Sequence, residues 1–145
     1  MDRGIDTTFL VEAVVAGHAG HAAARATLDR MLAAGERLAL APQVLAEFVH
    51  VVTDARRFSA PLDAAAAIAH AEAWWSATEV RRVYPDDRAV RTFLDWMVRH
   101  NLGRKRILDA LLAATYHTAG VQSIVTTNAR DYRVFGCFEV VVPAA

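Results

Sequence analysis

Apolar residues recur along this chain in short blocks, and the spacing inside the blocks switches repeatedly between an extended and a helical period. Around Ile5 a brief run reads as a strand ending at Asp6. Residues 8 to 15 then carry a helical pattern up to Gly17, and residues 19 to 34 a second one stopped by Gly35. RLALA, 37 to 41, reads as a strand, and Pro42 stands in the first turn of a helix reaching about Thr53. SAPLDAAAAIAHAEAWWSA repeats that design, with Ser59 as the expected cap and Pro61 just inside the helix. VRRVY is the third strand, Asp86 caps a helix running to about His100, and a further helix over 106 to 119 is ended by Gly120. QSIVTT and FEVVV supply the last two strands. Strands separated by helical segments predict an α/β fold, a mostly parallel sheet covered by helices on both faces. With no low-complexity linker and no repeat, residues 1 to 145 read as a single domain.

Composition narrows the picture only slightly. The chain has 145 residues with sixteen basic and sixteen acidic side chains, so it exerts no general pull on nucleic acid; a polyanion would have to be held by a local basic patch or through metal ions. Lys105 is the only lysine among the basic residues, an imbalance that a coding bias explains as well as phosphate recognition does. The one cysteine, Cys137, excludes an internal disulfide and reads as a small core residue. Acids near the N-terminus and the lack of a long, charge-free apolar run predict a cytoplasmic chain that does not span a membrane.

The chemistry lies in where the acids fall on these elements. Ligands of parallel sheets bind beyond the carboxyl ends of strands, where the strand order reverses. Asp6 stands at such an end, and as a residue before a helix it suits a capping role as well as a ligand role. Glu47 lies in PQVLAEFVHVV on the side away from Leu45, Phe48, Val49 and Val52, together with Gln43, His50 and Asp54, where a solvated polar stripe is the plainer account. Asp109 emerges from RILDALLAATYHTAG, a helix apolar nearly all round, and a buried carboxylate there needs a partner, a cation or a metal. An ion pair with Arg104 or Arg106 is the structural alternative. Directly after the QSIV strand, VTTNARDY offers Thr126, Thr127, Asn128 and Asp131, each of which also suits a turn or cap. Carboxylates gathered at one sheet edge repel one another, and a hard divalent cation relieves that repulsion.

GIDTTFLV, APQVLAEFVHVV and RKRILDALLAATYHTAGVQSIVTTNARDYRVF together resemble the PIN-domain ribonucleases, in particular the VapC toxins of bacterial toxin-antitoxin pairs. The last third is the most specific portion, and the resemblance runs essentially from the first strand to FEVVVP. It implies a PIN-like three-layer sandwich around a five-stranded sheet, and hydrolysis of RNA by water activated on Mg²⁺ or Mn²⁺. The family's metal-binding acids match Asp6, Glu47 and Asp109. Its fourth acidic position falls on Asn128, a neutral amide, and Asp131 is the nearest carboxylate to assist. Thr8 stands where the family commonly has asparagine, with Thr126 as a further accessory group. Arg104, Lys105 and Arg106 would contact phosphates flanking the cut. The resemblance also implies a VapB-like antitoxin and a homodimer, for which the adjacent Trp74 and Trp75 offer an apolar edge.

Other chemistries fit less well. G-x-S-x-G, P-loop and dinucleotide glycine patterns are missing. His18 and His21 resemble a zinc pair but fall in an alanine-rich surface helix without a carboxylate or cysteine at ligand spacing. A phosphorylatable receiver module would need a lysine after the last central strand, whereas Lys105 precedes a helix. A PIN-fold binding module whose site has decayed, acting through its partner surface, is the second reading, and Asn128 is its main support.

Overall fold

A computed structural model describes residues 1 to 144. Five strands, β1 Asp2–Ile5, β2 Arg37–Leu40, β3 Val80–Arg82, β4 Ser123–Val125 and β5 Glu139–Val141, form one sheet in the order β3-β2-β1-β4-β5. Every pairing is parallel, with Gly4 opposite Ala39 on one side and Ile124 on the other. Among the described residues seven α-helices connect them: α1 Thr7–Val14, α2 His21–Ala33, α3 Pro42–Val52, α4 Ala64–Ser76, α5 Asp87–Arg99, α6 Ile107–Thr118 and α7 Ala129–Arg133. Right-handed crossovers run from β1 outward through β2 to β3 and then return past β1 to β4, so the chain reverses direction between β1 and β4. The two return directions put α1 to α4 over one face and α5 to α7 over the other. The expected α/β sandwich is therefore present.

The core follows from this layering. Ile5, Leu40, Ile124 and Val125 are buried in the sheet, with Phe9, Leu10, Phe48 and Val52 on one side and Leu112, Tyr116 and Tyr132 among those closing the other. Tyr116 couples core to site: its hydroxyl donates to the carbonyl oxygen of Ile5 at 2.6 Å, fixing the backbone immediately before Asp6. The Tyr116 ring lies where only glycine leaves room, since a Cβ on Gly4 would stand 2.9 Å from Cδ2 of that ring and 3.1 Å from the Ser123 carbonyl oxygen. Gly4→Ala should destabilise the chain by about 1–3 kcal/mol through this overpacking. Denaturant unfolding checks it, and an unchanged midpoint would show that ring and strand separate freely.

Three local expectations change. α4 begins at Ala64 rather than near Ser59, and its cap is Asp63, whose carboxylate accepts the Ala66 N–H at 2.7 Å. Leu62 N–H is held by the Val52 carbonyl, so the segment carrying Pro61 stays tied to the end of α3 instead of starting the next helix. Cys137 is half-buried at the margin of the core. His18 lies in the turn before α2, not in a helix. Trp74 and Trp75 do diverge: Trp74 lines a shallow apolar cleft with Leu28, Leu38 and Val80, while Trp75 meets Tyr84 edge-on at 5.8 Å and lies under Arg82. The more open apolar row is on α5, where Val90, Leu94 and Val98 follow one another by four residues. Among the described residues no helix is long and apolar enough to cross a membrane.

Candidate active site

The two ends of the sheet are electrostatically unlike. At the amino ends of the strands Arg3 meets Glu36 at 2.7 Å and Glu139 at 3.2 Å, and Asp2 meets Arg81 at 2.6 Å, so acids and arginines neutralise each other. The Arg3 guanidinium holds the Glu36 carboxyl below its usual range. At the carboxyl ends, where the chain order reverses, Asp6, Glu47, Asp109 and Asp131 gather together; Arg106 turns inward toward Asp109 and Asp131, and Arg57 acts on Glu47. That contrast identifies the edge at which charge remains uncompensated.

Asp6 follows β1 and precedes α1, and both roles considered for it come from that placement. Only about 5% exposed, it accepts four hydrogen bonds. Oδ1 takes the Thr7 N–H at 2.7 Å and the Tyr132 hydroxyl at 3.0 Å; Oδ2 takes the Thr126 hydroxyl at 2.6 Å and the Thr8 hydroxyl at 3.1 Å. Burial still pushes its carboxyl up, outweighing these donors. Thr126, directly after β4, and Thr8, one residue into α1, thus serve Asp6 directly, and Thr126 Oγ1 also receives the Asn128 N–H.

Asp109 enters from the first turn of α6. Its carboxyl is pushed up to about 6, first by desolvation and then by the charges of Asp6, Asp131 and Glu47, against which Arg106 acts. The Arg106 pairing is long, Nε to Oδ2 at 4.0 Å, and Nε is buried without a hydrogen-bond partner. Arg106 instead leans on Asp131, 3.6 Å from its Oδ1 and bonded to its carbonyl oxygen. The ion-pair alternative for Asp109 is therefore weak. Glu47 lies at the mouth of the cluster, on α3, its carboxyl raised by desolvation and by the charge of Asp6, while the neighbouring Thr7 hydroxyl favours its ionised form. It also lines the clefts on either side.

The remaining predicted residues divide. Asp131 contributes a fourth negative charge, and Asn128 stands exposed before α7 with no capping bond from its side chain. Arg104 and Lys105 are exposed in a short 3₁₀ turn, whereas Arg106 at its end faces inward. Sequence reasoning gave Tyr132 no role, yet its buried hydroxyl sits between the two aspartates, 3.0 Å from Asp6 Oδ1 and 3.4 Å from Asp109 Oδ1. Its single hydrogen serves Asp6, the shorter contact, so it acts as a spacer that fixes their separation. Tyr132→Phe should lower stability by about 1–2 kcal/mol by leaving Asp6 short of a donor, measured by thermal unfolding. An unchanged midpoint would mean that Thr7, Thr8 and Thr126 suffice.

Chemically, the donor set is all hard oxygen, which suits Mg²⁺ or Mn²⁺ over softer ions. Among the described residues no three acidic, imidazole or thiol groups form a closed cage, and Asp6 is engaged by its own protein donors. Lone pairs on Asp109 and Glu47 are the open ones.

Comparison with known proteins follows the same outline. The PIN domain family model matches residues 5–135. No curated protein matches. Among solved structures, VapC20 of Mycobacterium tuberculosis, a toxin that cleaves the sarcin-ricin loop, is 24% identical with a TM-score of 0.70, over 97% of this chain and 98% of that one. VapBC2 of Rickettsia felis, bound to a DNA fragment from its promoter, is 14% identical with a TM-score of 0.72, covering 99% and 100%. FitAcB of Neisseria gonorrhoeae is 15% identical with a TM-score of 0.66, covering 99% and 97%. These likenesses are of fold.

Proposed function

The chain belongs to the PIN domain family, and on that footing we propose that it is a VapC-like endoribonuclease whose Asp6, Glu47 and Asp109 hold Mg²⁺ or Mn²⁺ to hydrolyse RNA phosphodiester bonds. The observation that carries this reading is the crowding of four carboxylates, with Asp109 raised to about 6 by burial and by the charges of Asp6, Asp131 and Glu47. Repulsion of that kind, among hard oxygen donors at the reversal of a parallel sheet, fits a divalent cation.

A metal ion bound there would lower the pKa of a coordinated water and neutralise charge developing on the phosphate. The chain's own groups do the rest. Asp109 and Glu47 supply open carboxylate oxygens, and Asp6 orients the site from a fixed position with four donors behind it. Glu47, at the mouth, is placed to accept a proton from or orient the attacking water. Arg106 keeps Asp131 near the cluster without closing it, so Asp131 rather than the exposed Asn128 is the acid positioned to assist at the fourth place. Arg104 and Lys105, on the exposed turn before α6, would hold flanking phosphates.

Partners follow from the same reading. Solved relatives are a toxin-antitoxin complex from Klebsiella pneumoniae and a VapBC-family system from Mycobacterium tuberculosis. A VapB-like antitoxin would restrain this chain, and the family implies a homodimer, for which Trp74, in the cleft with Leu28, Leu38 and Val80, offers an apolar surface, while Trp75 packs against Tyr84. RNA is then the substrate, and the reaction is placed in the cytoplasm. The function is tested by incubating total RNA with the purified chain in Mg²⁺, Mn²⁺ and EDTA. Cutting in either metal and none in EDTA is expected; RNA left intact in all three would favour the binding-module reading.

A further inference from the structure

A cleft of about 450 Å³ opens beside the acid cluster and shares Thr8 and Glu47 with it. Thr8 and Glu12 lie one turn apart on α1, so the helix face that sets a hydroxyl against Asp6 also carries Glu12 into the cleft. The Glu12 side chain is only 12% exposed, yet among the described residues no N–H or O–H donates to its carboxylate. His18 is the nearest candidate, with Nδ1 3.9 Å from Oε1. That nitrogen, however, accepts the Gly20 N–H at 2.9 Å and so has no hydrogen to offer Glu12. His21 is engaged with the backbone oxygen of Glu12, 2.8 Å from its Nδ1, and not with the carboxylate.

The arrangement is held open from behind. A Cβ on Gly20 would stand 2.6 Å from Glu12 Oε1, so only glycine lets the carboxylate rest where it does. Val11, Val51 and Phe58 give the cleft apolar walls, and exposed Arg57 marks its rim. A carboxylate largely withdrawn into a cleft, with no donor from the protein among the described residues, keeps its accepting capacity free for a ligand that enters there.

Resting on the nuclease reading above, we infer that this cleft is a nucleobase subsite in which Glu12 recognises guanine in the nucleotide next to the scissile phosphate. A carboxylate only accepts, and it presents two oxygens side by side. Guanine alone among the four bases has two adjacent donors on its pairing edge, N1–H and N2–H₂. Adenine and cytosine set one donor beside an acceptor, and uracil flanks its donor with two acceptors. Apolar walls suit the flat base, as single-stranded RNA recognition requires, and Arg57 suits its phosphate.

The test is binding in EDTA, where nothing is cut. Labelled UUUGUUU should bind the parent chain at least about tenfold more tightly than UUUAUUU, UUUCUUU or the all-uracil heptamer, read by fluorescence anisotropy. Glu12→Gln replaces an acceptor with a donor, and Gly20→Ala displaces the carboxylate without changing any charge. Either should bring the ratio to within about threefold. Equal binding of the four heptamers by the parent, or a preference retained in both variants, would overturn the subsite. So would an unchanged base preference accompanied by loss of binding to a tetrapeptide carrying one arginine, which would assign the cleft to a protein segment. Guanine preference without cleavage in Mn²⁺ would uphold the subsite and overturn the nuclease reading alone.

Discussion

Replacing Asp109 with Asn is expected to remove RNA cleavage, by at least about a hundredfold, while making the metal-free chain more stable. The two effects have one cause. The folded carboxyl is raised to about 6 from an ordinary value of 3.8, so the fold binds its proton more tightly than the unfolded chain does. Stability from this group is fully present below about pH 4 and is lost as pH rises through 6. At pH 7.5 the ionised side chain therefore works against folding, by on the order of 1–2 kcal/mol after allowing for its partial exposure to solvent. Asn removes the charge and the penalty. In EDTA at pH 7.5 the variant should melt several degrees above the parent, and its advantage should vanish by pH 4. Adding Mn²⁺ should raise the parent's melting temperature and leave the variant's nearly unchanged. A variant less stable than the parent at pH 7.5 would mean that Arg106 satisfies Asp109 after all.

Asp6→Ala should abolish cleavage too, but with the opposite effect on folding. This carboxylate accepts four hydrogen bonds, from Thr7 N–H and from the hydroxyls of Thr8, Thr126 and Tyr132. Its loss removes the acceptor at the head of α1 and leaves buried donors unpaired. The hydroxyls of Thr8 and Thr126 can turn toward each other, being 3.4 Å apart, which limits the damage. A loss of about 2–4 kcal/mol is expected in urea unfolding at neutral pH. Unchanged stability would show that water takes over the role of acceptor. Two acids on one edge would thus act alike on catalysis and oppositely on stability, because Asp109→Asn removes only a charge while Asp6→Ala takes the acceptor from four donors.

Much of this edge was legible in the sequence, since the rule that ligands gather past strand ends needs only the strand order and the acids that follow it. Asp6 after the first strand, the polar side of PQVLAEFVHVV and a lone aspartate in an apolar helix each carried a local signal. What stayed hidden depends on contacts between distant elements. Tyr132 looks like any aromatic on a short amphipathic turn until α7 folds over Asp6, 126 residues earlier. Glu12 and His18 are six residues apart, a spacing with no helical meaning, and they meet because the chain turns between α1 and α2. The start of α4 was misplaced since Ser59-Ala60-Pro61 carries strong start signals, while the bond from Leu62 N–H to Val52 that overrides them is tertiary. Arg106 belongs by sequence to a basic run and by fold to the acid cluster, because the 3₁₀ turn ends at that residue.

RNA cleavage by this chain depends, on this reading, on Asp6, Glu47 and Asp109 holding a divalent ion. That dependence is tested most directly by comparing cleavage of one RNA by the parent chain and by Asp109→Asn in Mn²⁺, with melting curves confirming that both are folded. Cutting by the parent, blocked by EDTA, and none by an equally folded variant is the expected result. Equal cutting by both would contradict it.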